Sequence, residues 1–392
     1  MAVPKLRFKE FDGDWSEKII SDIADVRGGK RLPKGYSLVE SDTGYPYITV
    51  TDMEDGTVNC DKIRYVPLDA VDQIKRYRIT VDDIYISVAG TLGLVGIIPH
   101  ELNNANLTEN ADKLTNIKCD QKYLLQYLNN GSLSQLIDSV STVGAQPKLA
   151  LYAIQGMSIF LPANPEQTKI ASFLSAVDEK ITQLTQKHEL LSQYKQGMMQ
   201  KLFSQQIRFK ADDGSEFGEW ESILVKDIFD VTRGQVLAVS NTAAVADTDY
   251  KYPVFSSQTK QKGLMGFYKE YLFEDALTWT TDGANAGDVN FRKGKFYCTN
   301  VCGVLLSKKG YANLCIAEIL NRVTRKYVSY VGNPKLMNNV MSEIPIIIPR
   351  DIEEQTKIAN FLTAIDQKIE GVAQQIEQAK QWKKGLLQQM FV

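Results

Sequence analysis

The sequence predicts an α+β protein built twice over. Two similar globular units are each followed by one long helix, and the two helices pair as an antiparallel coiled coil under an internal pseudo-two-fold axis. Three observations carry this. EQTKIASFLSAVDEKI begins at Glu166 and EQTKIANFLTAIDQKI at Glu354, and 19 of 39 positions are identical without gaps between 166–204 and 354–392. Apolar residues inside both copies step by four and three without a break, which is the period of a two-helix seam. The stretches in between, such as YPYITVTDM (45–53) and DIYISVAG (83–90), are short β-branched runs cut by Gly, Pro and Asp-rich turns. No regular strand–helix–strand alternation appears, so a doubly wound sheet is not expected.

Taken in order, the first unit is expected over 1–162, its helix over 163–205, the second unit over 206–349 and its helix over 350–392. LRFKEFDGDW (6–15) is echoed by IRFKADDGSEFGEW (207–220), and SDIADVRGGK (21–30) by KDIFDVTRGQ (226–235). Each unit then has a Gly-rich turn, GTLG (90–93) or GANAG (283–287), and a loop, VGAQPKL (143–149) or VGNPKL (331–336). From the tryptophan to the repeated glutamate is 151 residues in one unit and 134 in the other, so the edges are held while the middles differ. Two units share a scaffold and differ in what they present.

The first helix is expected to open with Asn164 as N-cap, Pro165 at the first helical position and Gln167 completing a capping box. Asp351 and Glu354 stand in the same relation in the second. The seam is expected to run through Ile170, Leu174, Val177, Ile181, Leu184 and Leu191, and through Ile358, Leu362, Ile365, Ile369, Val372 and Ile376. At about 1.5 Å per residue such a helix is a rod on the order of 58 Å long, suited to holding two domains at a fixed separation. Gly197 and Gly385, both inside the helices, suggest close approach by another backbone. His188 falls on the seam and reads as a tolerated polar residue.

Chemistry is hard to find. The 392 residues carry a formal charge of −2, which argues against a generally basic, nucleic-acid-coating protein. Five cysteines and no apolar run at the start read as reduced thiols in a cytoplasm, with no disulfide framework and no metal site. There is no P-loop, no dinucleotide fingerprint and no Asn/Asp-Pro-Pro-aromatic loop of an adenine methyltransferase. Two histidines supply little general acid–base catalysis. Catalysis by this chain is not expected.

Charge distribution is more informative. Arg27, Lys30, Arg31 and Lys34 sit among glycines in VRGGKRLPKGYSLV with no acid in that stretch, and Arg233 and Gln235 occupy the matching place. Residues 289–342 hold nine basic residues, among them Arg292, Lys293, Lys295 and Lys335, against Glu318 alone. Cations interleaved with Tyr, Phe and Asn suit phosphate positioning together with base-edge contacts. Thr91 and Asn285 in the Gly-rich turns, Gln146 and Lys148 in the first late loop, and Asn338 after the second complete the candidate DNA-contacting set.

Two variable regions, each followed by a P-x3–4-EQ-x-x-I-A-x-x-L-x-x-x-D-x-K-I helix, resemble the DNA specificity subunits of type I restriction–modification enzymes. The resemblance covers nearly the whole chain. It implies two target recognition domains held apart by conserved helices, each reading one half of a bipartite, asymmetric double-stranded DNA target. It also implies two methylation subunits docked on the chain and restriction subunits in the full complex. S-adenosylmethionine, ATP and Mg would then lie on those partners, with no cofactor on this chain. Because recognition regions vary within the family, no base-contacting residue is carried over. Two other readings stay open: a coiled-coil adaptor between proteins without DNA, and a catalytic DNA methyltransferase.

Overall fold

The computed structural model of the chain describes residues 3–140, 148–257 and 260–392. It divides into two compact units, one made of 1–186 with 373–392 and the other of 187–372. Each unit therefore contains the start of one long helix and the end of the other, which is antiparallel pairing within the unit.

The helices are continuous over Asn164–Phe203 and Ile352–Met390. In the first unit Ile170, Ala171, Leu174 and Val177 pack in one core with Leu386, Leu387, Met390 and Phe391. Every seam position is buried or half-buried, because the four-three spacing keeps them on one face of each helix. Two polar seam positions are used in the same way in each unit. Lys383 meets Asp178 at 2.6 Å in the first unit, and its counterpart Lys195 meets Asp366 at 2.7 Å in the second. Apart from the helix's own backbone, nothing lies within 4 Å of where a Cβ would stand at Gly197 or Gly385, so the expected close approach is not there.

Neither capping box forms. In the first helix the Ala163 carbonyl accepts from Gln167 N–H at 3.1 Å, which moves the cap one residue before Asn164. The Gln167 and Glu354 side chains have long-range partners instead, and these define a joint built twice. Buried Glu166 accepts from Arg7 Nε and Nη2 at 2.7 and 2.8 Å, while Arg7 also donates to the Gly13 carbonyl. Buried Glu354 accepts from Arg208 at 3.0 and 2.8 Å, and Arg208 donates to the Gly218 carbonyl. Gln167 donates to Pro162 O and accepts from Asp120 N–H; Gln355 donates to Pro349 O and accepts from the Asn313 amide. Asp120 and Asn313 in turn cap the short helices Gln121–Tyr127 and Leu314–Val323. Edge-to-face pairs Phe8–Phe173 and Phe209–Phe361 finish the joint. The RFK and EQ repeats are thus the two faces of one fitting that locks a domain to its helix.

In the first unit a ribbon of Ser16–Ile19 and Ser158–Leu161 leads into the helix. Beyond it lie two four-stranded sheets. One has the order Asp25–Gly28, Ala111–Thr115, Ile84–Ser87, Val95–Ile97, all antiparallel. Ile84–Ser87 is buried at all four positions, as a central strand covered on both faces must be. The other is a smaller mixed sheet in which Pro46–Ile48 runs parallel to Ala105–Leu107. In the second unit the ribbon is Glu221–Leu224 with Pro345–Ile348. Its main sheet has six strands, beginning Asp230–Arg233, Cys302–Leu306, Phe273–Thr280, Val289–Cys298 and continuing to Tyr252–Phe255 and Leu264–Tyr268. Tyr252–Phe255 pairs in parallel with Val289–Cys298, matching the parallel pair of the first unit.

Candidate nucleic-acid interface

At one end of the first unit's antiparallel sheet, four loops converge. They are fastened to each other by backbone hydrogen bonds. Gly29 N–H donates to Ala111 O at 2.9 Å and Lys30 N–H to Leu107 O at 2.8 Å. Val88 N–H donates to Asn110 O at 2.8 Å, and Leu149 N–H to Val88 O at 3.0 Å. The second unit repeats all four: Gly234 to Cys302 and Gln235 to Cys298, then Thr281 to Val301 and Leu336 to Thr281. A glycine is required at the first crossing. A Cβ would stand 2.0 Å from Thr108 O at Gly29 and 2.1 Å from Cys298 O at Gly234. Each unit therefore has one rim, held rigid by main-chain bonds, from which side chains of different kinds project.

The profile described as type I restriction modification DNA specificity domain matches residues 12–192 and again 218–381. The chain belongs to this family. A Mycoplasma pneumoniae protein named as a type I specificity subunit is 29% identical over 246 residues, which is 60% of this chain and 86% of that one. The MjaX specificity subunit of Methanocaldococcus jannaschii is 25% identical across 98% of this chain and 94% of its own length. The crystal structure of the S subunit of a type I restriction–modification system from M. genitalium superposes with a TM-score of 0.66 at 17% identity. It covers 100% of this chain and 99% of that one.

Within this specificity-family chain, the residues singled out by charge have varied surroundings. Lys30 and Lys34 are exposed on the first rim, with the Lys30 ammonium 5.8 Å from the centre of the Tyr77 ring. Arg27 and Arg31 are not free of acids, as the local sequence suggested. Arg27 pairs with Asp25 at 2.9 Å, and Arg31 with Glu109 on the neighbouring loop. Burial works against ionisation of Glu109, yet the Arg31 hydrogen bond and its neighbours bring its carboxyl below the ordinary range. Lys148 is exposed and lies close enough to buried Asp112 to oppose the rise that burial imposes on that carboxyl. Thr91 is exposed on the 88–93 turn, and Gln146 lies outside the described residues.

On the second unit Arg233 and Gln235 are exposed on the rim, and Asn285 is half-buried in the turn that follows Phe273–Thr280. Lys335 faces Asp282 at 3.7 Å, and Asn338 donates to the Thr232 carbonyl at 3.2 Å. Lys293 and Lys295 are exposed, Lys295 standing 4.6 Å from the Tyr271 ring centre.

Arg292 does not stand on the surface where the charge count placed it. Its guanidinium is buried against the Phe255 ring at 3.7 Å and donates to Thr278 Oγ1 and the Lys262 carbonyl. Burial lowers its pKa to about 10, and it remains charged at neutral pH. That leaves it bracing the sheet from inside.

The buried Arg7–Glu166 and Arg208–Glu354 joints had a sequence signal in the paired RFK and EQ echoes, but local spacing cannot join residues 159 and 146 positions apart. Among the described residues no group of three or more His, Cys, Asp or Glu is placed to hold a metal ion. None of the described helices is long and apolar enough to cross a membrane.

Proposed function

We propose that this chain is the sequence-reading, non-catalytic subunit of a type I restriction–modification complex. Each unit reads one half of a bipartite, asymmetric duplex through its rim. The paired helices set the unread spacer and dock two methylation subunits, and restriction subunits join the full complex. S-adenosylmethionine, ATP and Mg act on those partners, in the cytoplasm.

The observation that carries the reading is the rim itself. The same four main-chain hydrogen bonds build it twice, yet its side chains differ, with Arg31 in one unit where the other has exposed Val236. A repeated frame with unlike contents is what two independent readers of unlike half-sites require, since phosphate contacts position and side chains at base edges specify. The test is methylome sequencing of a host expressing this chain with its methylation subunits. The expected motif has two unlike halves around unread base pairs, with half-site centres about 10 base pairs apart. A continuous motif or a perfect palindrome overturns the two-reader reading.

A further inference from the structure

The second unit's rim carries an apolar tip with no role in the unit's own core. Ser329 and Lys335 exchange both backbone hydrogen bonds, at 2.8 and 2.9 Å, closing a tight hairpin over the residues between them. Gly332 turns the chain at φ +75°, a conformation that favours glycine. The hairpin is braced from outside as well. Gly283 N–H donates to Pro334 O at 3.0 Å, Leu336 N–H to Thr281 O at 2.9 Å, and the Lys335 ammonium faces Asp282. At the apex Tyr330 is 68% exposed and Val331 92% exposed. An unbraced loop could fold these side chains back onto the protein; this one holds them away from it.

The charge next to the tip bears on what it could meet. Of the cations close to the tip in sequence, Lys335 is paired with Asp282 and Arg325 with Asp288, which leaves Lys326 as the one with no ion pair among these three. Lys326 is exposed beside the hairpin. A rigid apolar point with an exposed lysine beside it, continuous with the rim, fits a polyanion that also offers an apolar group at its centre. In the major groove of duplex DNA that group is the thymine methyl.

We propose that Tyr330 and Val331 are specificity-determining residues that read thymine in the second half-site by apolar contact in the major groove. The proposal rests on the DNA-reading function above. An apolar contact releases no counterion, so its loss leaves the salt dependence of binding unchanged, unlike loss of a lysine on phosphate.

The test uses the full chain purified with its methylation subunits, as wild type and as the Tyr330→Ser, Val331→Ser double variant. Both side chains are exposed, so an unchanged thermal midpoint is expected and is checked first. Duplexes carrying deoxyuridine in place of thymine in the second half-site keep base pairing and lose only the methyl. Wild type should bind these about fourfold more weakly than the thymine duplex, the worth of burying one methyl group. The double variant should not distinguish the two, with the same salt slope and an unchanged first half-site. The proposal is overturned if wild type is indifferent to the uracil exchange, if the second half-site holds no T·A pair, or if the variant keeps full discrimination. Loss of the methylation subunits on purification, with DNA discrimination intact, overturns it in favour of protein docking. A wild-type complex that methylates a continuous motif overturns the half-site reading, and the tip's role with it.

Discussion

Removing Arg208 should show how each domain is fixed to its helix. Glu354 is 1% exposed and accepts three hydrogen bonds, two from Arg208 at 3.0 and 2.8 Å and one from Trp220 Nε1 at 3.2 Å. In the Arg208→Ala variant the carboxylate keeps a single neutral donor and stays buried. Breaking a buried pair from one side typically costs about 3–5 kcal/mol. Arg208 is partly exposed, so water can reach the vacated space, and the lower figure of about 3 kcal/mol applies. For a unit of this size that is a fall in thermal midpoint of about 6–12 °C. The assay is thermal unfolding, with hydrogen exchange to locate the loss at 208–220 and at the start of the second helix. Adding Glu354→Gln removes the stranded charge, so the double variant should be less destabilised than the two single changes summed, by about 1–3 kcal/mol. Destabilisation by Arg208→Ala within about 0.5 kcal/mol, the range of ordinary surface changes, would refute the joint. Strict additivity in the double variant would do the same.

Gly29→Ala drives a Cβ into Thr108 O and should unfasten the first rim, abolishing discrimination at the first half-site while the second is read as before; methylome sequencing checks this. Exchanging the charges of Lys195 and Asp366 together should restore stability lost in either single reversal, with a coupling of about 0.5–1 kcal/mol for a half-exposed pair, measured by urea unfolding of the four proteins. Lys30→Ala with Lys34→Ala should weaken binding to all sequences alike and flatten the salt slope by about 0.9 per lost phosphate contact, read from affinities at several salt concentrations. Native thiol labelling should reach exposed Cys60 first, because Cys298, Cys302 and Cys315 are buried and burial raises their pKa values, Cys302 to about 11.

The long helices were legible because their signal is local: a four-three stripe needs no knowledge of what covers it. Their caps are not legible in the sequence, for the opposite reason. Gln167 and Glu354 look like capping-box residues within a four-residue window, but Asp120 and Arg208 claim them from far along the chain. Duplication revealed the paired architecture, and the RFK echo marked the joint without saying what it joined. The candidate interface was only partly readable. Counting charges along VRGGKRLPKG cannot see Glu109, which the sheet brings to Arg31 from 78 residues away. Nor does it see that Arg292 turns inward to Phe255, at a strand whose register slips opposite Glu274 and Ala276. The rim hydrogen bonds are main-chain contacts, so side-chain patterns carry almost no trace of them; the glycines at 29 and 234 are the exception.

The make-up of the first unit also bears on how the chain is made. Its core takes in Leu386, Leu387, Met390 and Phe391, with the Phe391 ring set against Tyr123 and Tyr127 at 5.4 Å each. Those residues leave the ribosome some 200 positions after the body of the unit they complete, a delay of roughly 10–40 s at ordinary rates of synthesis. The second unit, whose residues all lie between 187 and 372, is fully translated before the first has its last pieces. Through that interval the faces around Tyr123, Tyr127 and Leu174 wait uncovered, open to chaperones and to neighbouring nascent chains. A message that stops short of residue 373 therefore damages the domain encoded first and spares the one encoded second.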